Sequence, residues 1–417
     1  MSSAFFARPF SVVALASLLA ACATQPIARA PDNGLTPPIA TVEPGMQTTA
    51  EPPPNPTTTT PAIPVPVKPP PAITPGWADA RQGRALLARL LPTGIPERAA
   101  WIHDIFSAFE ALKIPYTAEY FCAASAVIEQ ESSWQADPVV PGLGKMVWGQ
   151  IAAKAKSHGV PLPLVQAAML LKSRDGRSYK ARIDGLRTER EMNVLFEEMT
   201  DEASRRGLPL TVQNPIRTGG PMQVSVEFAN GHARVWPYPY PVKDSIRHEV
   251  FSRRGGLYFG IAILLHYRVP YDNMLYRFAD FNAGRFSSRN AAFQAAIVKL
   301  GKRKIPLDGD LLRYEGGRPS KQASGSLLAI RKLAGQLRLS SAEIERDLAL
   351  EKEGGFDQTP LYRRVFELAD AAGHAPLARA VLPQIKLNSP KITRKLTTEW
   401  FARRVDGRYA SCLRRAG

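Results

Sequence analysis

The distribution of proline divides this chain into a segment that cannot build a core and a segment that can. Residues 26–75 contain 16 of the 37 prolines, together with the run Thr57–Thr60. Proline lacks a backbone N–H and fixes φ, so such a segment can neither continue a helix nor pair as a central strand. It also offers too little apolar surface to offset the entropy cost of ordering. We therefore predict that residues 22–76 form a disordered tether and that the globular body begins at Trp77.

The residues before this tether have the pattern of an export signal. A short apolar run, residues 10–19, is followed by small residues and Cys22. A run of this length fits a cleaved signal peptide better than a spanning helix. Leu19-Ala20-Ala21-Cys22 resembles the lipobox of bacterial lipoproteins. This implies removal of residues 1–21, lipidation of Cys22, for example with palmitate, and sorting to the outer membrane, on the periplasmic face in preference to the cell surface. Cleavage at an A-x-A-like site without lipidation is the alternative.

The chain is strongly basic, which indicates an anionic environment. It has 54 Lys and Arg against 37 Asp and Glu, a net charge of +17, and residues 301–417 hold 23 of these basic residues against 13 acidic ones. Nucleic acid, lipid headgroups and envelope polymers all fit this charge. Because an exported chain has little access to nucleic acid, we expect envelope polymers and the membrane at the Cys22 anchor as partners.

Apolar residues recur at helical spacing through most of the globular body, which predicts a mainly α fold. Ile105, Phe109 and Leu112 illustrate the pattern, since they lie three and four residues apart. Thr188 begins a capping box with Glu191. The predicted helices cover residues 80–91, 97–112, 117–133, a segment from 188, 256–267, 274–282, 325–336, 341–352, 359–372 and 375–384. Residues 301–417 are therefore predicted to be a basic helical C-terminal region.

One segment predicts a small β-hairpin within this helical body. Residues Met222–Ala229 alternate as a strand does, and Ala233–Trp236 follow an Asn230-Gly231 turn. The loop Val235–Pro241 that follows carries three aromatic residues between prolines. A stiff connector is the favoured interpretation of this loop, and stacking on sugar rings is the alternative.

Two cysteines remain once Cys22 is assigned to the anchor. Cys122 and Cys412 could pair in an oxidising compartment. The apolar helix around Cys122 fits a small buried side chain better. Their wide separation in sequence leaves the pairing open.

The helix predicted for residues 117–133 ends by carrying carboxylates. Stepping back from Glu131 by three and four residues leads to Ile128 and Val127, so Glu131 continues the apolar face, whereas Glu129 does not. Burial should raise the pKa of the Glu131 carboxyl, which suits a general acid. A carboxylate that turns outward or pairs with an arginine is the alternative.

Three further segments lie downstream of Glu131-Ser132-Ser133-Trp134 in a characteristic order. They are Gly219-Gly220-Pro221-Met222-Gln223, Gly255–Phe259 with the helix after it, and Phe281-Asn282-Ala283-Gly284. In this order they resemble the catalytic domain of soluble-type lytic transglycosylases of the lysozyme superfamily, over about residues 115–300. With the anchor and tether, the chain resembles a poorly characterised group of Gram-negative outer-membrane lipoproteins with a lysozyme-like core.

The resemblance implies an α+β, lysozyme-like domain and a specific chemistry. Its enzymes cleave the bond between N-acetylmuramic acid and N-acetylglucosamine with one carboxyl, acting as acid and then as base, and form a 1,6-anhydro sugar. When the functional residues of these enzymes are matched to this sequence, Glu131 corresponds to the catalytic acid. The residues that match the substrate-contacting positions of the motifs are Ser132, Met222, Gln223, Phe281 and Asn282. No metal or cofactor is implied.

The chain departs from the family pattern in two respects. Phe281 stands where the family has tyrosine, so a hydroxyl is missing; Asp280 beside it is expected to be solvated, with electrostatic substitution as the alternative. The Met222-Gln223 pair also lies far downstream of Glu131, which predicts a helical insertion at about residues 151–213 within a domain of residues 77–300. A competing turn at residues 142–146 lacks the Met-Gln pair.

These observations favour an envelope lipoprotein that cleaves peptidoglycan glycan strands. The first alternative is a non-catalytic lipoprotein that binds glycan or another envelope component through a lysozyme-like fold, which Phe281 and the long insertion favour. A surface-exposed receptor or uptake component is a further alternative, based on the anchor, the tether and the basic charge.

Overall fold

The computed structural model describes residues 79–207, 214–315, 318–387 and 396–416. The predicted signal peptide, the lipid anchor at Cys22 and the proline-rich tether lie outside the described residues. Within them, the chain is mainly helical, as the apolar spacing predicted. The finer prediction, a lysozyme-like fold, stays a proposal.

The described helices follow one another along the chain with short two-stranded sheets between them. The helices are α1 (Ala80–Leu90), α2 (Arg98–Ala111), α3 (Ala118–Ser132), α4 (Leu143–Ser157), α5 (Leu162–Ala168), α6 (Tyr179–Asp184), α7 (Glu189–Arg205), α8 (Val226–Val235), α9 (Ile246–Val250), α10 (Arg253–Leu265), α11 (Met274–Ala283), α12 (Ser287–Gly301), α13 (Gly325–Leu337), α14 (Ser341–Leu348), α15 (Pro360–Ala371) and α16 (Thr398–Leu413). The antiparallel strand pairs are β1 (Thr218–Gly219) with β2 (Val224–Ser225), β3 (Tyr314–Glu315) with β4 (Arg318–Pro319), and β5 (Lys386–Leu387) with β6 (Leu396–Thr397).

Side-chain caps explain where several of these helices begin. The Thr117 side chain accepts a hydrogen bond from the Tyr120 amide at the start of α3, with Glu119 in the first turn. At α7, Thr188 and Glu191 form the predicted capping box. Each cap satisfies a backbone N–H that the helix itself cannot pair. Both predicted helix starts are confirmed.

The chain folds into two compact units. The described part of one unit comprises residues 135–256, and that of the other comprises residues 79–134 and 257–416. The first contains α4 to α9 with the β1–β2 hairpin, and α10 begins in it. The predicted domain limits, 77–300 and 301–417 with an insertion at 151–213, stay a prediction.

Two groups of buried side chains form the core of the second unit. Aromatic rings pack between α12 and α15, where Phe293 stacks on Tyr362 with a centroid distance of 5.5 Å and meets Phe356 edge to face. Leucines and isoleucines of α13 and α14 complete this cluster. The other group lies where α16 packs against both α3 and α11. This second group positions the candidate site.

Two secondary-structure predictions are wrong, and some helices were missed. Residues Val226–Val235 form helix α8, with Asn230-Gly231 inside it, and the observed hairpin lies earlier, at Thr218–Ser225. Ser225 caps this helix by accepting from the Phe228 amide, which favours helix over a continued strand. No helix covers residues 375–384, all of which the structure describes. Helices α9, α12 and α16 were not predicted.

Candidate functional site

The two glutamates in the last turn of helix α3, Glu129 and Glu131, differ in their position around the helix axis. Glu131 is 1% exposed and follows the buried residues Val127 and Ile128, as the apolar spacing predicted. Glu129 is half-buried, and its Oε1 lies 3.5 Å from Nε of Arg408 on α16. Glu129 thus lies within ion-pair distance of a basic residue of α16. Burial of a carboxyl group disfavours its charged form, which is a property of general acids that act near neutral pH.

The residues after Glu131 end helix α3 abruptly. Ser132 is buried, and its hydroxyl donates to the Ile128 carbonyl at 2.9 Å, one turn back in the same helix. Ser133 and Trp134 then adopt left-handed backbone conformations, with φ of 48° and 63°. Trp134 packs edge to face on Trp101, with ring centroids 5.3 Å apart. This packing compensates two conformations that are uncommon for residues other than glycine.

Helix α11 carries Asn282 near its C-terminal end. Asn282 is 8% exposed, and its Oδ1 accepts a hydrogen bond of 3.0 Å from the Thr398 hydroxyl in the first turn of α16. Among the described residues, the Asn282 Nδ2 has no hydrogen-bond partner. The amide is oriented with its oxygen toward the Thr398 hydroxyl and its nitrogen away from it. Asn282 thus keeps its two N–H donors for a ligand.

Glu131 and Asn282 lie toward the same end of the group formed by α3, α11 and α16. Gln130, the neighbour of Glu131, accepts a 3.1 Å hydrogen bond from Nε of Arg404 on α16. Arg404 follows Thr398, the partner of Asn282, by six residues, about 9 Å along a helix axis at about 1.5 Å per residue. The N-terminal half of α16 therefore contacts both segments that carry predicted site residues.

Asp280 is a core residue, so the expectation of a solvated carboxylate is wrong. It is 0% exposed and accepts hydrogen bonds from the Tyr271 hydroxyl and from the backbone amides of Ser288 (2.7 Å) and Phe286 (3.2 Å). Burial raises the pKa of Asp280, and these hydrogen bonds oppose the rise. Because Ser288 lies in the first turn of α12, the carboxylate caps that helix. This structural role explains the aspartate without reference to Phe281.

The remaining residues of this motif are also fixed by local packing. Phe281 is 5% exposed, so the position that lacks the family's hydroxyl is filled by a buried ring. Gly284 ends α11 with φ of 109°, and its amide donates to the Asp280 carbonyl at 2.8 Å. A side chain would be strained in this conformation, so a glycine is required here whatever the site does.

Met222 and Gln223 belong to the unit of residues 135–256, where they form the turn between β1 and β2. Met222 is 0% exposed and Gln223 is 6% exposed. The Gln223 side-chain amide donates to the Gly220 carbonyl at 3.4 Å, a long hydrogen bond within the turn. At Gly219 a Cβ atom would lie 2.1 Å from the Phe251 ring, so this glycine is required by packing. Whether Gln223 shares a groove with Glu131 stays a prediction.

A buried carboxylate of this first unit pairs with an arginine and a tyrosine. Glu249 accepts hydrogen bonds from Arg254 at 3.0 Å and from the Tyr238 hydroxyl at 2.7 Å. Burial raises the pKa of Glu249, but the bonds from Arg254 and Tyr238 outweigh it and hold the pKa below its ordinary value. Tyr238 and Tyr240 thus pack within their unit, the latter under the Arg254 guanidinium. This packing agrees with the connector interpretation of the aromatic loop.

Cys122 and Cys412 form a disulfide that joins α3 to α16. Cys122 is buried, as predicted, but the preference for an unpaired side chain is wrong. The two cysteines are 290 residues apart in sequence, so no local pattern could have revealed the pair. Together with the Arg404–Gln130 contact, the disulfide holds α16 against α3, whereas Thr398 holds the start of α16 against α11.

Sequence reasoning missed the contribution of α16 to this site. Thr397 caps the helix by accepting from the Trp400 amide, and Phe401 and Val405 face the core at helical spacing. This N-cap and apolar spacing are the signal by which the helix could have been predicted. Its contacts with Gln130 and Asn282 are long-range and leave no such signal.

The described residues thus define a mainly helical protein of two compact units with a buried glutamate at a helix end. A family model described as "Protein of unknown function (DUF1615)" matches residues 94–415. The chain belongs to this family. A relative from Escherichia coli (strain K12), named "Uncharacterized protein YaiW", is 44% identical over 330 residues, which cover 79% of this chain and 89% of the relative.

These comparisons confirm the coarser part of the resemblance, a poorly characterised family with a Gram-negative member. No solved structure matches the chain. As for membrane spans, the helices within the described ranges all fall short of the length and apolarity needed to cross a bilayer.

Proposed function

We propose that this protein cleaves the glycan strands of peptidoglycan, with Glu131 as the acid and base. The observation that carries the proposal is the buried Glu131 carboxyl at the end of α3, on the side of the helix group where Thr398 orients Asn282. An acid of this kind must hold its proton near neutral pH, which burial favours. The order of the sequence motifs supports the same substrate.

The reaction assigned to Glu131 needs no second carboxylate. The Glu131 carboxyl would donate its proton to the glycosidic oxygen as the bond to C1 of the muramic acid breaks. The resulting carboxylate would then take the proton from the C6 hydroxyl as that oxygen bonds to C1, which closes the 1,6-anhydro ring. This differs from the two-carboxylate scheme of most glycosidases. The Asn282 N–H donors would hold a sugar oxygen or acetamido carbonyl.

A non-catalytic glycan-binding protein is the second candidate, and two observations favour it. Phe281 places a buried ring where the related enzymes have a hydroxyl, and Glu131 at 1% exposure is closed to solvent in this structure. Cleavage requires that the segment around Glu131 opens to admit a sugar. Binding alone could use the Asn282 amide without ionisation of Glu131.

Digestion of purified sacculi by the full-length protein in detergent separates these candidates. We expect the wild-type chain to release anhydro-muropeptides, detected by mass spectrometry, and Glu131→Gln to release none. Glu129→Gln is the matched control, because it makes the same substitution two residues away on the same helix and should remain active. Products with reducing ends would indicate hydrolysis instead. Binding to sacculi without release, by wild type and Glu131→Gln alike, would favour the second candidate.

We also propose that lipid at Cys22 anchors the protein to the outer membrane. The lipobox-like sequence and the tether after it support this location. Radiolabelled palmitate should enter the wild-type chain but not Cys22→Ser. Equal labelling of both chains would refute the anchor.

A further inference from the structure

A basic pocket lies in the unit of residues 79–134 and 257–416, at the opposite end of α3 from Glu131. It has a volume of about 350 Å³ and opens to solvent between the α2–α3 connection and the segment after α10. Tyr120 in the first turn of α3 lines the pocket, whereas Glu131 lies eleven residues later, about 17 Å along the axis. The pocket is therefore separate from the candidate glycan site. Its lining residues are Lys113, Ile114, Pro115, Tyr120, Leu265, His266, Tyr267 and Arg268.

The polar lining of this pocket favours an anion. Lys113 and Arg268 are exposed cations, and the described residues that line the pocket include no carboxylate. Burial, and then repulsion by Arg285, lowers the pKa of His266, so its imidazole is neutral at neutral pH. The N-terminal end of α3 at the pocket edge adds a partial positive charge, which the exposed Glu119 of the same turn partly offsets.

The backbone around Lys113 is strained in a way that glycine would relieve. Lys113 has φ of 54°, and the Ile114 amide donates to the Phe109 carbonyl at 3.0 Å, the pattern of a Schellman motif after α2. Glycine is the usual residue at this position because it has no Cβ, and a lysine there costs about 1 kcal/mol. The lysine side chain places a charge at the pocket edge, which a glycine could not do.

The aromatic part of the lining is held rigid from behind. The Tyr267 ring meets Phe286 edge to face at 5.1 Å and lies under the guanidinium groups of Arg277 and Arg285, at 4.9 and 5.5 Å. The Arg277 guanidinium also donates to the Leu264 and Tyr267 carbonyls. Two further cations therefore lie against the Tyr267 ring. The Asp280 carboxylate contacts the Tyr267 hydroxyl from the core.

We propose that this pocket binds a phosphate monoester that carries an organic group. The dianionic phosphate would lie between Lys113 and Arg268, because a phosphate has three acceptor oxygens for such a set of donors. A volume of about 350 Å³ exceeds that of a bare phosphate. The organic part would contact the apolar remainder of the lining, Pro115 and Leu265 with the tyrosines. A soluble sugar phosphate and a phospholipid headgroup share this chemistry.

Isothermal titration of the full-length protein in a non-ionic, phosphate-free detergent tests the site. The probes are inorganic phosphate, glucose 6-phosphate and dihexanoyl phosphatidic acid. We expect an organic phosphate to bind more tightly than inorganic phosphate, and the double substitution Lys113→Gln with Arg268→Gln to weaken its binding by on the order of tenfold or more. Saturable binding of glucose 6-phosphate identifies the soluble source, and binding of phosphatidic acid alone identifies the lipid headgroup.

The matched control is Arg89→Gln with Lys332→Gln, which removes the same charge from two exposed positions outside the pocket. It should change affinity less than about twofold at about 0.15 M salt, because distant exposed charges are screened there. Equal weakening by both double variants would show that net charge alone attracts the probes, and this would overturn the proposal. So would absence of binding to the wild type. If the pocket variant loses thermal stability but binds the probes with unchanged affinity, Lys113 and Arg268 stabilise the C-terminal ends of α2 and α10 and do not bind phosphate. This result would also overturn the proposal.

Discussion

Replacement of Glu351 should change how the stability of the second unit depends on pH. Glu351 is 0% exposed in the turn after α14, where its Oε2 accepts a 2.5 Å hydrogen bond from the Leu311 amide. Burial raises the pKa of Glu351 to about 7, and repulsion from Asp310 adds to this rise, whereas hydrogen bonds from Tyr314 and Leu311 oppose it. The carboxyl group is therefore protonated in the folded protein at pH values where the unfolded chain has released its proton.

The size and sign of the effect follow from this difference in pKa. The ordinary pKa of a glutamate here is 4.5 and that of folded Glu351 is about 7, which corresponds to about 3 kcal/mol at about 1.36 kcal/mol per pH unit. This contribution to the free energy of unfolding is fully present below about pH 4.5 and is lost as the pH rises through about 7. Glu351→Gln removes the titration but keeps an oxygen to accept from Leu311. The difference in the free energy of unfolding, variant minus wild type, should therefore increase by about 2–3 kcal/mol as the pH rises from about 5 to about 8.

Native-state hydrogen exchange is the suitable assay, because a chain of two units need not unfold in one transition. The free energy of opening is read from the amides of α14 and α15, corrected for intrinsic exchange rates, at about pH 5 and about pH 8. Glu353→Gln is the control, since it removes an exposed carboxylate two residues away. If the free energy of opening differs between Glu351→Gln and the wild type by the same amount at both pH values, Glu351 does not titrate with a raised pKa and the reasoning fails.

Two further predictions concern the attachment of α16. Thr398→Val should lower the free energy of unfolding by about 1–2 kcal/mol, because the buried Asn282 Oδ1 loses its donor. Thr398→Ser keeps the hydroxyl and should retain the stability of the wild type. Equal stability of the two variants in urea would contradict this prediction. Replacement of Cys122 and Cys412 by alanine should cost on the order of 3–5 kcal/mol, since the bond closes a loop across 290 residues. Thermal unfolding with and without reductant measures the effect, and a wild type that reductant does not alter would show that the bond is absent.

The sequence was most informative where one helix contains all the necessary information. In α3 the Thr117 cap, the apolar face and the position of Glu131 on that face are all local properties, and each prediction is confirmed. The same holds for the capping box at Thr188. Local propensity and amphipathic spacing were sufficient because tertiary packing reinforces both.

The failures arose where a distant partner decides. The sequence predicted a solvated carboxylate at Asp280, but in the structure the Tyr271 hydroxyl and the α12 amides donate hydrogen bonds to it. The strand predicted after Met222 failed for a different and local reason, because Ser225 caps a helix there. For Cys122 the deciding partner, Cys412, lies near the end of the sequence. Tertiary contacts of this kind override local pattern and cannot be read from it.

The contacts of α16 determine how the proposed glycan site must be tested. A fragment that ends at residue 300, the limit suggested by the motifs, would lack Thr398, Arg404 and Cys412, which hold Asn282, Gln130 and α3 in place. It would also expose the face of α3 and α11 that α16 covers, at a cost of roughly 25 cal/mol per Å² of apolar surface. Inactivity of such a fragment would therefore reflect loss of its folded structure and would not test the role of Glu131. The family match to residues 94–415 includes α16 almost completely. The chain that includes α16 is consequently the smallest one in which substitution of Glu131 distinguishes catalysis from binding.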